Sequence, residues 1–453
     1  MTDPVASRKF AHDLVDLLFD HVDRVADGPV VEWTSAADLR EIVKLDQEAS
    51  APIDLAKLVT RYSNHLHHPS YMGHQVCPPL YDSAAAELLI SFMNNSVAVW
   101  EMSPIGTAIE KEIIRWLAKL AGYPEHAEGT AVSGGSAANL TALLAARARW
   151  TSDTTNAAKT PVVVTSADAH YSIARAAAIM GIPAADVLKV PTDDHHRMDV
   201  AALEEILAAV EGRDDASLLA IVATSGSTAT GAFDKLDEIA LLRDRFRTWL
   251  HVDAAHGAAT LLSEKHAHLV RGLERADSFS CDPHKMMWMP LSLGTVLVRD
   301  GIWLRRAFEA DAPYLFHAGV ENIGQMTIQC SKRADAIKLW LVLRSQGTKP
   351  VVDALERTAA MTRYLFERVA ASDDFEPVHE PQLNIFCFRR KGFDDEQTAD
   401  LRERLIRGGK AWITTTVLRG ERVLRVTMMN PRTTERDVDA MLDALRALAA
   451  TQD

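Results

Sequence analysis

Leu218-Leu-Ala-Ile-Val-Ala-Thr224, Leu236 to Phe246 and Thr248-Trp-Leu-His-Val-Asp253 follow one another as a short apolar run, a helical stretch and a second short apolar run. Strand, helix and strand in that order predict two parallel strands joined by a crossover helix. The rhythm continues outward in both directions. Strands are predicted at Val162 to Thr165, Val187 to Val190 and Thr295 to Val298, and helices at Ile109 to Ala121 and Leu203 to Val210. The fold class is therefore α/β with a mostly parallel sheet, and such a sheet takes its ligand in the loops at the carboxyl ends of its strands.

Either side of this region the pattern changes. Residues 1–80 carry helical runs, Phe10 to Val25 and Ala36 to Leu45, broken by Gly28-Pro29 and Ala51-Pro52 and too short to enclose a core of their own. They end in Asn64-His-Leu-His-His-Pro-Ser-Tyr-Met-Gly-His-Gln75-Val-Cys-Pro-Pro79, whose prolines and glycine predict an irregular loop. Residues 81–345 form the large α/β domain, closed by a helix from Arg333 to Leu343. Beyond Gly347 and Pro350, residues 346–453 read as a small C-terminal α/β domain. It has a long helix to about Ala370, a strand Ile385 to Arg389, a helix Ala399 to Arg407, strands within Trp412 to Val426 and a last helix to Leu448.

The chain of 453 residues has a net charge of -13 and no basic block, which argues against nucleic acid as a partner. No apolar run approaches the roughly 20 residues of a membrane span, and the first residues lack an apolar signal core. Cys77, Cys281, Cys330 and Cys387 are scattered without a C-x-x-C pair, as suits a reducing compartment. The expectation is a cytoplasmic enzyme acting on a small molecule.

Two residues at strand ends carry the chemistry. Asp253 ends one strand in His251-Val-Asp253-Ala-Ala255, and Lys285 follows another in Ser278-Phe-Ser-Cys-Asp-Pro-His-Lys285. An amine and a carboxylate on one rim of a parallel sheet suit pyridoxal phosphate, which needs a covalent partner for its aldehyde and an anion against its ring nitrogen. Apolar neighbours such as Met286 to Met289 would favour the neutral, nucleophilic amine. Taken alone, a strand-end aspartate also suits a helix cap, and a lysine also suits a snorkelling surface position.

Ser133-Gly-Gly-Ser-Ala-Ala-Asn139 opens into the helical run Leu140 to Arg147. Small residues ahead of a helix expose amides and the positive end of its dipole, and Ser136 adds a hydroxyl, so the segment is a candidate phosphate cup. His284 is a candidate phosphate ligand, and His170, in Asp168-Ala-His-Tyr-Ser172, is placed to stack over a ring. His65, His67, His68 and His74 match no compact metal motif, and no metal site is assigned.

Taken in order, these segments resemble the group II pyridoxal-phosphate-dependent amino-acid decarboxylases, which include glutamate, cysteine-sulfinate, aromatic-amino-acid and 2,4-diaminobutyrate decarboxylases. The likeness runs from about His65 to the end. It is carried by Ser133 to Asn139, Ala169-His170, Ala223-Thr-Ser-Gly-Ser-Thr228 with Gly231-Ala-Phe-Asp234, His251 to Ala255 and Asp282-Pro-His-Lys285. The resemblance implies the aspartate aminotransferase fold, fold type I of the pyridoxal-phosphate transferase-like proteins, with a seven-stranded sheet. It also implies a homodimer with its sites at the interface, clasped by the N-terminal helices and loops.

By that resemblance Lys285 is the aldimine lysine, Asp253 the pyridinium partner, His170 the stacking residue and Ala255 the packing on the opposite ring face. Gly135, Ser136 and His284 hold the phosphate, Thr228 lies beside the cofactor, and Arg425 reaches a substrate carboxylate, with His74 and Gln75 lining the side-chain pocket. The implied reaction is α-decarboxylation of an L-amino acid through a quinonoid, releasing carbon dioxide and an amine. One feature departs from the family pattern: between Tyr314-Leu-Phe316 and Gln329, the segment His317 to Ile328 contains no tyrosine where relatives carry one on a longer loop. Either Tyr314 or His317 substitutes for it, or the scaffold runs another reaction, such as oxidative deamination coupled to decarboxylation, or aldol or elimination chemistry.

Overall fold

The strands that the apolar runs predict form a single sheet in the computed structural model, which describes residues 3–46, 49–310, 316 and 322–451. Its seven strands are β1 (Glu128–Val132), β2 (Thr160–Ser166), β3 (Val187–Val190), β4 (Ala216–Thr224), β5 (Trp249–Asp253), β6 (Ser278–Cys281) and β7 (Gly294–Val298), in the order β1-β7-β6-β5-β4-β2-β3. Pairings β2/β3, β2/β4, β4/β5 and β5/β6 are parallel, and β7 is antiparallel to both β6 and β1. β1 therefore runs in the same sense as β6, and the carboxyl ends of β1, β2, β4, β5 and β6 open on one rim. Val162 to Val164 and Leu219 to Ala223 are buried along their whole length, as strands covered on both faces must be.

Strand β1 is one element that periodicity does not announce. Gly129 interrupts its apolar pattern, yet that glycine is what permits the pairing, because a Cβ there would lie 2.3 Å from the Val296 carbonyl oxygen. After β1 the chain turns through Gly134, at φ 146°, into the helix Gly135–Ser152. Ala138, Ala142, Leu143, Ala145 and Ala146 of that helix are buried in the core of the sheet's unit. A run of small, strongly helix-forming residues lets the helix pack closely. The expected helices Ile109 to Ala121 and Arg333 to Leu343 are found at Pro104–Leu120 and Ala336–Gln346. The first begins earlier because Pro104 suits the opening turn, where no amide is required.

The chain divides into two compact units, Pro79–Glu356 and Met1–Pro78 with Arg357–Asp453, the later division falling inside the helix Lys349–Ala370. The sheet above belongs to the first unit. The second unit holds an antiparallel sheet of β8 (Phe375–Pro377), β9 (Ile385–Arg390), β10 (Thr414–Leu418) and β11 (Glu421–Thr427), in the order β10-β11-β9-β8. The strands expected within Trp412 to Val426 are the hairpin β10/β11, which turns through Arg419 and Gly420, both at positive φ. Phe386, Phe388, Leu424 and Val426 share its core with Leu401 and Leu405 of the helix Asp395–Arg407 and with Val438 and Leu442 of the helix Glu435–Ala449.

The proline-rich loop threads this second unit. Met72 N donates to Trp412 O at 2.8 Å, Thr427 N donates to Met72 O at 2.9 Å, and a lone bridge joins Tyr71 to Trp412. A Cβ on Gly73 would come within 2.3 Å of the Trp412 ring, so the loop passes only because that position is glycine. The histidines tie the loop down: His68 Nε2 lies 3.2 Å from Gly28 O, and Ser70 N donates to His68 Nδ1 at 3.0 Å. No group of three or more metal-ligating side chains is found among the described residues. The helices Pro4–Arg24, Ala36–Ile42 and Pro52–Tyr62 contain no buried residue.

Candidate active site

The carboxyl rim of the seven-stranded sheet carries a cavity of about 260 Å³. Each rim element contributes to it: Ser133 to Gly135 after β1, His170 after β2, Thr224 at the end of β4, Asp253 at the end of β5, and Asp282, His284 and Lys285 after β6. Gly135, Ser136, His170, Thr228, Asp253, Ala255, His284 and Lys285 all line this one cavity. Arg425, His74 and Gln75 belong to the other compact unit.

Asp253 is buried, and its carboxylate is held from several sides. Oδ2 accepts from Asn139 Nδ2 at 2.8 Å, and Oδ1 accepts from Ser280 Oγ at 3.1 Å and from Ala255 N at 3.2 Å. A buried carboxylate with three fixed donors is pre-organised to meet a cationic N–H in the cavity.

Asn139 connects this aspartate to two histidines. His251 Nε2 lies 2.9 Å from Asn139 Oδ1, and the second Asn139 N–H donates to Ser172 Oγ at 2.9 Å. Ser172 Oγ lies 2.8 Å from His170 Nδ1. An amide oxygen only accepts, so His251 Nε2 carries the proton and its Nδ1 accepts from Ser278 Oγ at 2.9 Å. Trp249 Nε1 donates to that same Ser278 Oγ at 2.8 Å. Complete burial keeps the His251 imidazole neutral, pushing its pKa down to about 4. Ser172 Oγ, already an acceptor from Asn139, donates to His170 Nδ1. Burial lowers the pKa of His170 as well, and with Nδ1 accepting from Ser172 the neutral ring carries its proton on Nε2.

Lys285 stands at the end of a tight turn in which its N–H bonds to Asp282 O at 2.8 Å and Met289 N bonds to Pro283 O at 3.1 Å. Met286 to Met289 are buried, as their composition suggests. The amine nonetheless meets an ionic partner: Lys285 Nζ lies 3.2 Å from Asp282 Oδ2. The stretch beyond is anchored by the fully buried Lys338, whose Nζ donates to Pro290 O and Ser292 O at 3.1 Å each and to Glu87 Oε1 at 2.5 Å.

The cavity fits pyridoxal phosphate by the character of its lining. Gly134 and Gly135 form a cradle that side chains would fill, since added Cβ atoms would lie 3.1 Å from His284 Cε1 and 3.0 Å from Ala255 Cβ. In the first turn of the helix Gly135–Ser152, Gly135 N donates to Asp282 Oδ2 and Ala137 N and Ala138 N donate to Gly134 O, so the attraction of this helix start for an anion rests on its dipole and on Ser136. The buried Thr224 Oγ1, also on the lining, has no hydrogen-bond partner among the described residues. A lysine side chain, a held carboxylate and a glycine cradle at a helix start are the set of groups this cofactor requires.

In the second unit Arg425 is buried on β11. Its Nη1 donates to Thr414 Oγ1 at 3.2 Å, while Nε and Nη2 have no partner among the described residues. Burial lowers its pKa. Gln75 Nε2 is buried and likewise has no partner among the described residues, and His74 is held below its ordinary pKa by partial burial and by the charges of Arg425 and Arg402. Buried donors without a partner among the described residues call for an acceptor.

Asn139, Ser172, Thr224 and Asp282 are site residues that the sequence reading did not single out. Asn139 had a signal, because it lies four residues after Gly135 and so on the same face of the helix that opens from the candidate phosphate cup. Tyr314 and His317, the candidates for the absent loop tyrosine, lie outside the described residues.

Residues 42–391 match the family model described as the pyridoxal-dependent decarboxylase conserved domain. The chain is 36% identical to L-2,4-diaminobutyrate decarboxylase of Rhizobium meliloti (strain 1021), over 98% of this chain and 92% of the relative. It is 31% identical to aromatic-L-amino-acid decarboxylase of Bacillus atrophaeus, over 98% and 95% respectively. The crystal structure of mouse CSAD superimposes with a TM-score of 0.92 at 28% identity, covering 99% of both chains.

Proposed function

The chain belongs to the pyridoxal-dependent decarboxylase family and is a pyridoxal-phosphate-dependent amino-acid carboxy-lyase, and on that premise we propose the following roles for its residues. Lys285 bonds covalently to the cofactor aldehyde, Asp253 pairs with the ring nitrogen, and His170 and Ala255 pack on opposite ring faces. Gly135, Ser136 and His284 hold the phosphate, with Thr228 beside the ring. Arg425 takes a carboxylate of the substrate, and His74 and Gln75 line the pocket for its side chain. The observation that carries the reading is that Lys285 Nζ and the held Asp253 carboxylate open on one glycine-cradled cavity.

When bound, pyridoxal phosphate supplies a protonated, electron-withdrawing ring that accepts the electron pair released as carbon dioxide leaves the α carbon. Asp253 keeps that ring nitrogen protonated, and its three donors keep the carboxylate in place while it does so. His170 presents Nε2–H because Ser172 occupies Nδ1. Arg425 fixes one end of the substrate by a charge-assisted pair that its own unit withholds.

The substrate is an L-amino acid, and the likeness to L-2,4-diaminobutyrate decarboxylase makes that compound the first to test. A homodimer with sites at the interface is part of this proposal. Supporting it, Val5, Leu55 and Val59 are exposed on the N-terminal helices, and Leu88, Leu89, Phe92 and Met93 are exposed on the helix Tyr81–Met93. The scattered cysteines, which form no disulfide among the described residues, support a cytoplasmic setting. The net charge of -13 supports a function without nucleic acid.

The decisive assay incubates the purified enzyme and cofactor with single L-amino acids and measures carbon dioxide, amine, ammonia and peroxide together. Carbon dioxide and amine in equal amounts are expected. A carbonyl product with ammonia and peroxide would replace this reading with oxidative deamination.

A further inference from the structure

The phosphate cradle already contains an anion. Asp282 follows β6, is 3% exposed, and places Oδ2 3.0 Å from Gly135 N, which donates to it. The same oxygen lies 3.2 Å from Lys285 Nζ and 3.5 Å from His284 Nε2. Its other oxygen, Oδ1, is buried without a hydrogen-bond partner among the described residues. A local helix cap does not account for this. The cap of the helix Gly135–Ser152 is Gly134, and Asp282 reaches the helix start from 147 residues away in sequence.

We infer that Asp282 is an internal competitor for the cofactor, holding the Gly135 amide and the Lys285 ammonium in the cofactor-free protein and opposing the phosphate when it enters. A carboxylate only accepts hydrogen bonds, so beside a phosphate it offers no donor and one like charge, within a buried site where charges interact strongly. The same carboxylate gives the cofactor-free site a partner for both the helix terminus and the amine. Its net effect is to weaken retention of pyridoxal phosphate while keeping the empty cradle ordered, so that the cofactor exchanges. The inference rests on the reading that the cradle takes the cofactor's phosphate.

The test compares the parent with Asp282→Asn, which preserves shape and removes the charge. Both are stripped of cofactor and titrated with pyridoxal phosphate and, separately, with pyridoxal, following tryptophan fluorescence and the absorbance of the lysine-bound form. Asp282→Asn is expected to bind pyridoxal phosphate about tenfold or more tightly than the parent. Its gain for pyridoxal, which lacks the phosphate, should be several-fold smaller, and its cofactor-free form should melt at a lower temperature. Equal or weaker binding of pyridoxal phosphate, or an equal gain for both ligands, overturns the inference. Should Asp282→Asn fail to fold by circular dichroism, Asp282→Ser makes the same comparison. A parent that takes up no pyridoxal phosphate overturns the reading of the cradle itself, whereas a parent that loads normally beside an unchanged Asp282→Asn overturns only the role of Asp282.

Discussion

The side-chain amide of Asn139 donates one hydrogen to Asp253 Oδ2 at 2.8 Å and the other to Ser172 Oγ at 2.9 Å, so one group positions both Asp253, the proposed ring-nitrogen partner, and the support of His170. Its oxygen accepts from His251 Nε2, so both N–H groups and the oxygen are engaged. Asn139 is thus a positioning residue that couples two parts of the site through a single rotamer.

Asn139→Ala is expected to leave His251, Ser172 and Asp253 each short of a partner, at about 1–3 kcal/mol for a buried group left unsatisfied. Applied to the transition state, a loss of that size lowers kcat/KM by about tenfold to a hundredfold. Steady-state kinetics with an independent cofactor-binding curve checks this. Unchanged kinetics in a folded variant would refute the coupling.

His251 predicts a pH dependence. Its pKa is about 4 in the folded protein against 6.5 for the free side chain, so between those values only the unfolded chain carries the proton and stability falls as pH falls. The slope is about 1.4 kcal/mol per pH unit for each such histidine. His67, also pushed down to about 4 by burial, adds to it. Asp234 acts in the opposite sense, because burial raises its pKa to about 6 and it gains a proton in the folded state first. The comparison is therefore made between parent and His251→Gln. From about pH 7 to about pH 5 the parent should lose more thermal stability than the variant. Equal losses would mean that His251 is not the titrating group.

Arg425→Met separates stability from function. Removing a buried guanidinium with two unpartnered nitrogens is expected to stabilise the cofactor-free protein by about 1–3 kcal/mol. The same change should raise KM by about tenfold to a hundredfold through loss of a charge-assisted pair. Calorimetry and kinetics on one preparation test both halves. A destabilised variant with normal KM would show that Arg425 is a structural residue.

Lys338→Met removes the donor that ties Pro290 O and Ser292 O to Glu87. Breaking one side of a buried ionic group costs about 3–5 kcal/mol. Because this lysine anchors the stretch just after Lys285, cofactor release should also quicken. Chemical denaturation and a cofactor-release time course measure the two effects, and a variant matching the parent in both would contradict the anchoring role.

Much of this site is legible in the sequence because its chemistry is local. Asp253 follows an apolar run read as a strand, Lys285 follows the strand expected at Ser278 to Cys281, and Gly134-Gly135 precedes a strongly helical run, so their common rim follows from the parallel topology. What depends on distant strands meeting is not legible. The partners of Asn139 lie 33, 112 and 114 residues away, and the effect of Asp282 is visible only once Gly135 lies beside it. Strand β1 is hidden for a related reason, since Gly129 answers to the Val296 backbone and not to its own neighbours. The setting of Lys285 also differs from its reading, because the apolar Met286 to Met289 follow it in sequence while a carboxylate faces it in space.

On the proposed roles, Lys285 alone is joined to the cofactor. Borohydride reduction of the loaded enzyme, followed by proteolysis and mass mapping of the pyridoxyl group, tests it directly. The group is expected on Lys285 alone and nowhere in Lys285→Ala; a pyridoxyl group on another lysine, or one that persists in Lys285→Ala, would overturn the assignment.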